Sequence, residues 1–222
     1  MGSPSFREFL PHSPFYIMLS NSSYCILKFN EQKGAIMSHI FDPTQFKKLD
    51  SPKRKEAMPP ALVCDLLSLN KDMVVADVGC GIGFFAFPFA KLAKHVLAID
   101  ISQIMTDELT NRIKDEGNIE VALGDFNTIV TNDSLDVFFT STVIHEIDDL
   151  DAFTVDAIEK LKMGGRLAFL DFKKIQSDYG PPVDKRISAD SVMALFKRNQ
   201  LDVITQYDVK DDFYLVVGTK VI

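Results

Sequence analysis

Tryptophan is missing from this 222-residue sequence, and cysteine and histidine are sparse, at three and four residues. Cys25, Cys64 and Cys80 form no CxxC pair and fall at no metal-ligand spacing, which argues against a zinc site or a disulfide framework. Reduced thiols in a cytoplasmic protein are expected. No apolar run approaches the ~20 residues that cross a bilayer, so no membrane span is expected. The apolar patch at 15–19 has no basic stretch before it and no small-residue cleavage site after it, and a signal peptide is rejected. Positive charge is also short: 24 Lys and Arg against 31 Asp and Glu leave a formal charge of −7. Gripping nucleic acid takes clustered cations, so the composition argues against nucleic acid as a partner. The densest basic stretches, Lys47-Lys48 and Lys53-Arg54-Lys55, sit in a polar segment and read as a solvated face.

What is present is the balance of a soluble globular protein, 46% hydrophobic and 25% charged, with 18 phenylalanines to supply aromatic packing. Residues 1–36 mix Ser, Pro, Asn and Phe without a sustained period, and read as an accessory or poorly structured extension. Met37 looks like a natural beginning, and 37–222 is expected to be one domain. There, strands and helices alternate: helix 61–69, strand 73–78, helix 84–94, strand 96–99, helix 102–115, strand 119–123, strand 135–140, helix 149–163 with Gly164-Gly165 as its stop, strand 166–172 and helix 189–199. Two last runs, 201–209 and 213–222, flank Lys210-Asp211-Asp212 as an antiparallel hairpin. The alternation predicts an α/β layered fold.

The most informative stretch is Asp77-Val78-Gly79-Cys80-Gly81-Ile82-Gly83. Gly79 suits a sharp turn at a strand end, Gly81 a close approach of backbone to ligand, and Gly83 the packing of the next helix near the sheet. The spacing is GxGxG rather than the GxGxxG of dinucleotide binders. Asp77, two residues before the first glycine, suits an ammonium group and would repel a pyrophosphate. Asp100 ends the next strand, about twenty residues on, where an acid accepts ribose hydroxyls; Ile101 beyond it is placed to pack on adenine. Gly124-Asp125-Phe126 follows the third strand, with Asp125 suited to an exocyclic amine and Phe126 to a wall of the ring. Thr140 ends the fourth strand beside the same cleft.

In order and spacing these four motifs resemble class I S-adenosylmethionine-dependent methyltransferases over roughly residues 41–222, most of all the small-molecule branch that includes ubiquinone/menaquinone-type enzymes. The resemblance implies a Rossmann-like seven-stranded sheet in order 3-2-1-4-5-7-6, strand 7 antiparallel. It also implies S-adenosylmethionine as cofactor, held by Asp77, Gly79, Cys80, Gly81, Gly83, Asp100, Ile101, Gly124, Asp125, Phe126 and Thr140, and a small-molecule methyl acceptor. No Asn/Asp-Pro-Pro-aromatic tetrad and no Pro-Cys pair follow strand four, which argues against methylation of DNA amino groups and against the covalent cytosine-C5 route. His145, just past strand four, is the candidate general base; packing or capping the next helix is its structural alternative. No metal is expected. The loop 173–188 reads as a lid whose Tyr179, Lys185 and Arg186 reach substrate, or as an exposed polar loop. Two rival functions stay open: a methyltransferase-like cofactor binder without turnover, and a nicotinamide-dependent oxidoreductase.

Overall fold

The computed structural model describes residues 15–20, 23–28, 49–177 and 179–221. Seven strands form the main sheet: β3 (Val74–Val78), β4 (His95–Asp100), β5 (Ile119–Leu123), β6 (Leu135–Ser141), β7 (Leu161–Phe172), β8 (Leu201–Val209) and β9 (Phe213–Lys220). Their spatial order is β5-β4-β3-β6-β7-β9-β8. Numbered within the sheet this is 3-2-1-4-5-7-6, and β9 runs antiparallel to both neighbours, as the resemblance implies.

Short valine-rich runs become central strands because both of their faces are covered. Val75, Val137 and Phe139 enter one core with α2 (Pro60–Leu66), α3 (Ala86–Leu92) and Leu109 of α4 (Gln103–Arg112). Ala76, Val78 and Phe138 enter the other with α5 (Phe126–Ile129), α6 (Leu150–Lys160) and α7 (Ala189–Arg198). A helix layer therefore lies on each face, and the phenylalanines do the aromatic packing: Phe85, Phe89 and Phe139 meet at centroid distances of 4.9–5.6 Å.

Three features differ from the sequence reading. The segment 15–28 contains an antiparallel pair, β1 (Phe15–Ser20) and β2 (Ser23–Lys28), in a stretch with no expected strand. A short helix, α1 (Pro52–Ala57), precedes α2; Ser51 caps it by accepting from the Arg54 N–H. Finally, α6 stops at Lys160 and β7 begins at Leu161, where the expectation ran the helix to Met163 and read Gly164-Gly165 as its stop. Leu161 is fully buried and pairs with Leu135, so it belongs to the sheet. The pairing then slips to Val137 with Arg166, and the intervening residues bulge outward with Met163 62% exposed. A Cβ on Gly165 would lie 2.8 Å from the Lys162 carbonyl oxygen, so the pair of glycines serves a bulge rather than a helix end.

Candidate active site at the strand tips

The order of strands reverses between β4 and β6 around β3, and the carboxyl ends of these strands frame a cleft, the usual ligand position in an open α/β sheet. The turn after β3 is tied to β4: the N–H groups of Gly79 and Cys80 donate to the Ile99 carbonyl at 2.8 and 3.1 Å. Asp100 accepts from the backbone N–H of Gly81 at 2.8 Å and of Ser102 at 2.9 Å, and its own carbonyl accepts from Gly124 at 2.9 Å. One acid thus gathers the tips of three strands. A carboxylate offers about four acceptor sites, so Asp100 keeps capacity for a hydroxyl.

Gly79 has a φ of +75°, and a Cβ there would stand 2.4 Å from Val143 in the segment after β6. Gly81, at φ +52°, differs: among the described residues only Leu49, at 3.7 Å, would lie within 4 Å of a Cβ there. That is the geometry for a ligand approaching backbone closely. Gly83 packs toward Leu109 and Phe87, and Cys80 is buried, both within the turn's own packing.

Among the described residues, four buried side-chain polar atoms lack a hydrogen-bond partner: Asp77 Oδ2, Thr140 Oγ1, Ser141 Oγ and Arg54 Nε. Asp77 lies near the end of β3, and Thr140 and Ser141 end β6, the neighbouring strand. Each orphan of this kind costs roughly 1–3 kcal/mol. Burial, and then the charge of Asp100, push the Asp77 carboxyl up to about 7, with Arg54 pulling the other way. Burial also pushes Asp100 up, against the N–H groups it accepts from.

Arg54 was read in the sequence as part of a solvated triplet. That holds for Lys53 and Lys55 but not for Arg54. Its guanidinium lies 4.8 Å over the Phe84 ring, and Nη2 donates weakly to Thr142 Oγ1 at 3.4 Å. Burial lowers its pKa to about 10, while Asp77 and then Asp50 raise it. Thr142 itself sits at φ +56°, a strained backbone for a β-branched residue.

His145 lies in a single 3-10 turn, Ile144–Glu146, its side chain only 8% exposed. Its Nδ1 is 2.9 and 3.0 Å from the two oxygens of Asp171, a fully buried residue of β7 that also accepts the Phe172 N–H at 2.7 Å. Burial alone would lower the His145 pKa; the Asp171 hydrogen bond and charge outweigh it, and the net shift is upward. Glu146 is pushed to about 7, by burial first, then by Asp171 and Asp100, with His145 opposing. Asp171 was missed in the sequence, although a lone acid inside the apolar run Phe169-Leu170-Asp171-Phe172 was a usable signal.

The remaining candidates divide. Ile101 is 41% exposed beside Asp100. Asp125 caps α5, accepting the Asn127 N–H at 3.0 Å. Phe126 is 5% exposed, with its ring edge-to-face on Phe138 and Phe153. In the loop, Arg186 is no substrate contact: it is 2% exposed and donates to the carbonyls of Lys173, Ile175, Tyr179 and Pro181 and to Ser177 Oγ, at 2.8–3.1 Å. A buried guanidinium surrounded by carbonyls braces the loop from within.

Comparison with known proteins agrees with this geometry. Residues 76–169 match the family described as a methyltransferase domain. The crystal structure of a SAM dependent methyltransferase from Aquifex aeolicus is similar with a TM-score of 0.75 at 27% identity, covering 82% of this chain and 100% of that one. Demethylmenaquinone methyltransferase of Tropheryma whipplei is 30% identical over 109 residues, 49% of this chain and 46% of that protein. The 23S rRNA (uracil(1939)-C(5))-methyltransferase RlmD of Alcanivorax borkumensis is 37% identical over 67 residues, 30% of this chain and 15% of that protein. These matches span less than half the length of either curated relative. Strand order, glycine turn and the match over residues 76–169 agree with the fold of class I S-adenosylmethionine-dependent methyltransferases. The relatives' names divide between ribosomal RNA and demethylmenaquinone as acceptor.

Proposed function

We propose that this chain transfers the methyl group of S-adenosylmethionine to a small-molecule acceptor that loses a proton in the reaction, with His145 as general base. The observation that carries the reading is the pair of orphaned polar atoms of Asp77 and Ser141 on one face of two adjacent strand tips, below the glycine turn. Buried polar atoms of a stable fold are otherwise satisfied, so a polar ligand belongs there. The residues fit the donor: Asp77 would take the ammonium of its amino acid tail, Asp100 the ribose hydroxyls, and Ile101 the adenine face. Bound S-adenosylmethionine supplies an electrophilic methyl on its sulfonium. The protein's task is then to align the acceptor with that methyl and to take up the proton it sheds. Asp171 holds Nδ1–H of His145, which leaves Nε2 as the basic nitrogen and fixes the ring.

Two observations favour a small acceptor. The chain carries a net charge of −7, a poor surface for polyphosphate. Methylation at pyrimidine C5 uses a thiolate nucleophile, and both described cysteines are buried, with burial pushing Cys64 to about 11 and Cys80 well above its ordinary value. The free state of these two thiols supports a cytoplasmic setting. Within the chain, residues from 37 onward are assigned to the catalytic domain and 1–36 to an accessory segment. Among the described residues no helix is long and apolar enough to cross a membrane.

Calorimetry with S-adenosylmethionine and S-adenosylhomocysteine tests the donor site, and a metabolite screen that detects S-adenosylhomocysteine release tests turnover. Heat with both compounds and release with a small acceptor are expected. No heat with either compound overturns the assignment; release with ribosomal RNA alone overturns the acceptor class.

A further inference from the structure

A base that takes up a proton at each turnover must lose it again before the next. One side of the His145 ring offers no way out. Nδ1 lies 2.9 and 3.0 Å from the two oxygens of Asp171, a residue with no exposed surface that also accepts the Phe172 N–H at 2.7 Å. A proton passed in that direction stays inside the protein. The acceptor's proton arrives at Nε2, and it has to leave from there.

Beside Nε2 stands Glu146, with Oε1 4.0 Å away. That is too long for a hydrogen bond, and a shift of about 1 Å brings it into the usual range. The side chain is free to make it: the last torsion of a glutamate is broad, and no hydrogen bond to a described residue holds this carboxylate. Side-chain exposure climbs along the three groups, from 0% at Asp171 through 8% at His145 to 22% at Glu146, so Glu146 is the member that meets water. The surrounding charges suit a transfer outward. Burial lowers the His145 pKa, but the bond and charge of Asp171 and the charge of Glu146 outweigh it, with Arg186 opposing. Burial, then Asp171 and Asp100, push Glu146 up to about 7 against the pull of His145. An acid raised this far accepts a proton from an imidazolium at a smaller cost than an ordinary glutamate at 4.5.

We propose that Glu146 is the proton exit of the site, relaying to solvent the proton that His145 Nε2 takes from the acceptor. This rests on the reading of His145 as base. After methyl transfer the Nε2–H bond breaks as Oε1 of Glu146 gains the proton; the electron pair stays on Nε2, and His145 is neutral for the next cycle. The Glu146 acid then gives the proton to water or to a buffer base and returns to carboxylate. Asp171 keeps Nδ1–H throughout, so the ring neither flips nor changes tautomer between turnovers.

The test uses the full chain without any acceptor and follows by NMR how fast the His145 Nε2–H proton exchanges with water, with formate as the probe for a missing carboxylate. Glu146→Gln keeps the shape of the side chain but cannot take a proton. It should slow the exchange by about 100-fold, the low end of what a positioned acid–base group contributes, and added formate should restore the rate. Restoration by a small carboxylate is a response that a mere loss of packing does not give. Exchange in Glu146→Gln as fast as in wild type overturns the exit, and so does slow exchange that formate leaves unchanged. Should Glu146→Gln fail to fold, Glu146→Asp decides: its carboxylate stands one methylene further back and should slow the exchange by a smaller factor that formate also removes, and no slowing overturns the exit. The base itself is tested apart, by the turnover of His145→Gln. Loss of the exit leaves the base standing, whereas unchanged turnover in His145→Gln removes both.

Discussion

The two ends of the central strands treat polar groups in opposite ways. At the amino end, Asp136 accepts from the Val74 N–H at 2.7 Å and from Lys162 Nζ at 2.8 Å, Lys220 donates to Asp133 and to the Leu161 carbonyl, and Lys160 donates to Asn132 and the Asn127 carbonyl. At the carboxyl end, Asp77, Thr140, Ser141 and Arg54 each retain a buried atom without a partner. The amino end satisfies these polar groups within the fold, whereas the carboxyl end, beside the satisfied Asp100 and Asp171, leaves atoms unpaired where the proposed ligand would enter. Conversely, a stability screen and a binding screen of this protein should map to opposite ends of the same strands.

The largest effect is expected at the base. His145→Gln should lower kcat by about 100- to 10,000-fold while S-adenosylhomocysteine binding is retained. Asp171→Asn should lower kcat less and move the acid limb of the kcat profile downward, because the bond and charge that raise the His145 pKa above 6.5 are lost. Unchanged kcat in His145→Gln across accepted acceptors would return His145 to a packing role.

Asp77→Asn comes next. It should weaken S-adenosylmethionine binding by about tenfold or more, as expected for a charge-assisted contact. Stability should move the other way. The folded-state pKa of Asp77, about 7, is raised by burial above the ordinary 3.8 of a free aspartate, so the folded form holds this proton more tightly than the unfolded chain. The group's contribution is therefore undiminished below about 3.8 and is lost as pH rises from there to about 7. Asp77→Asn removes that decline, and thermal melting of the ligand-free protein across this window checks it. A variant that is less stable than wild type at pH 8 would contradict the account.

Asp136→Ala is the mirror experiment. It should cost roughly 1–3 kcal/mol by leaving the Val74 N–H without its acceptor, and leave donor affinity untouched. Urea unfolding paired with calorimetry reads both; a loss of affinity would erase the contrast between the ends. Smallest is Arg198→Ala. The Arg198–Asp151 pair is exposed, and its removal should change neither melting nor binding measurably, within about 0.5 kcal/mol.

The same contrast explains what the sequence disclosed. The central strands were legible because burial on both faces demands unbroken apolar runs, as at 74–78 and 135–141, and the half-exposed edge strands 119–123 and 201–209 also fall where the sequence puts them. Asp77, the glycines and Asp100 were legible because a turn at a strand tip needs those residue types at that spacing. Arg54 was not, since a charged triplet on a six-residue helix carries no sign of which member turns inward. Gly164-Gly165 misled because the same pair serves a helix stop and a strand bulge, and only the burial of Leu161 decides between them. Arg186 stood among polar loop residues, and the carbonyls that surround it are set by backbone path, which composition does not report.

Val143 occupies the room that Gly79 leaves empty, two positions before His145. On the function proposed above, the turn that would hold the methyl donor and the segment that carries His145 therefore abut, glycine against valine. Any side chain at position 79 pushes on both at once, so Gly79→Ala should disturb acceptor turnover together with donor affinity. On that function, the spacing between donor and base is set by the contact between residue 79 and Val143, and it limits the size of the acceptor between them.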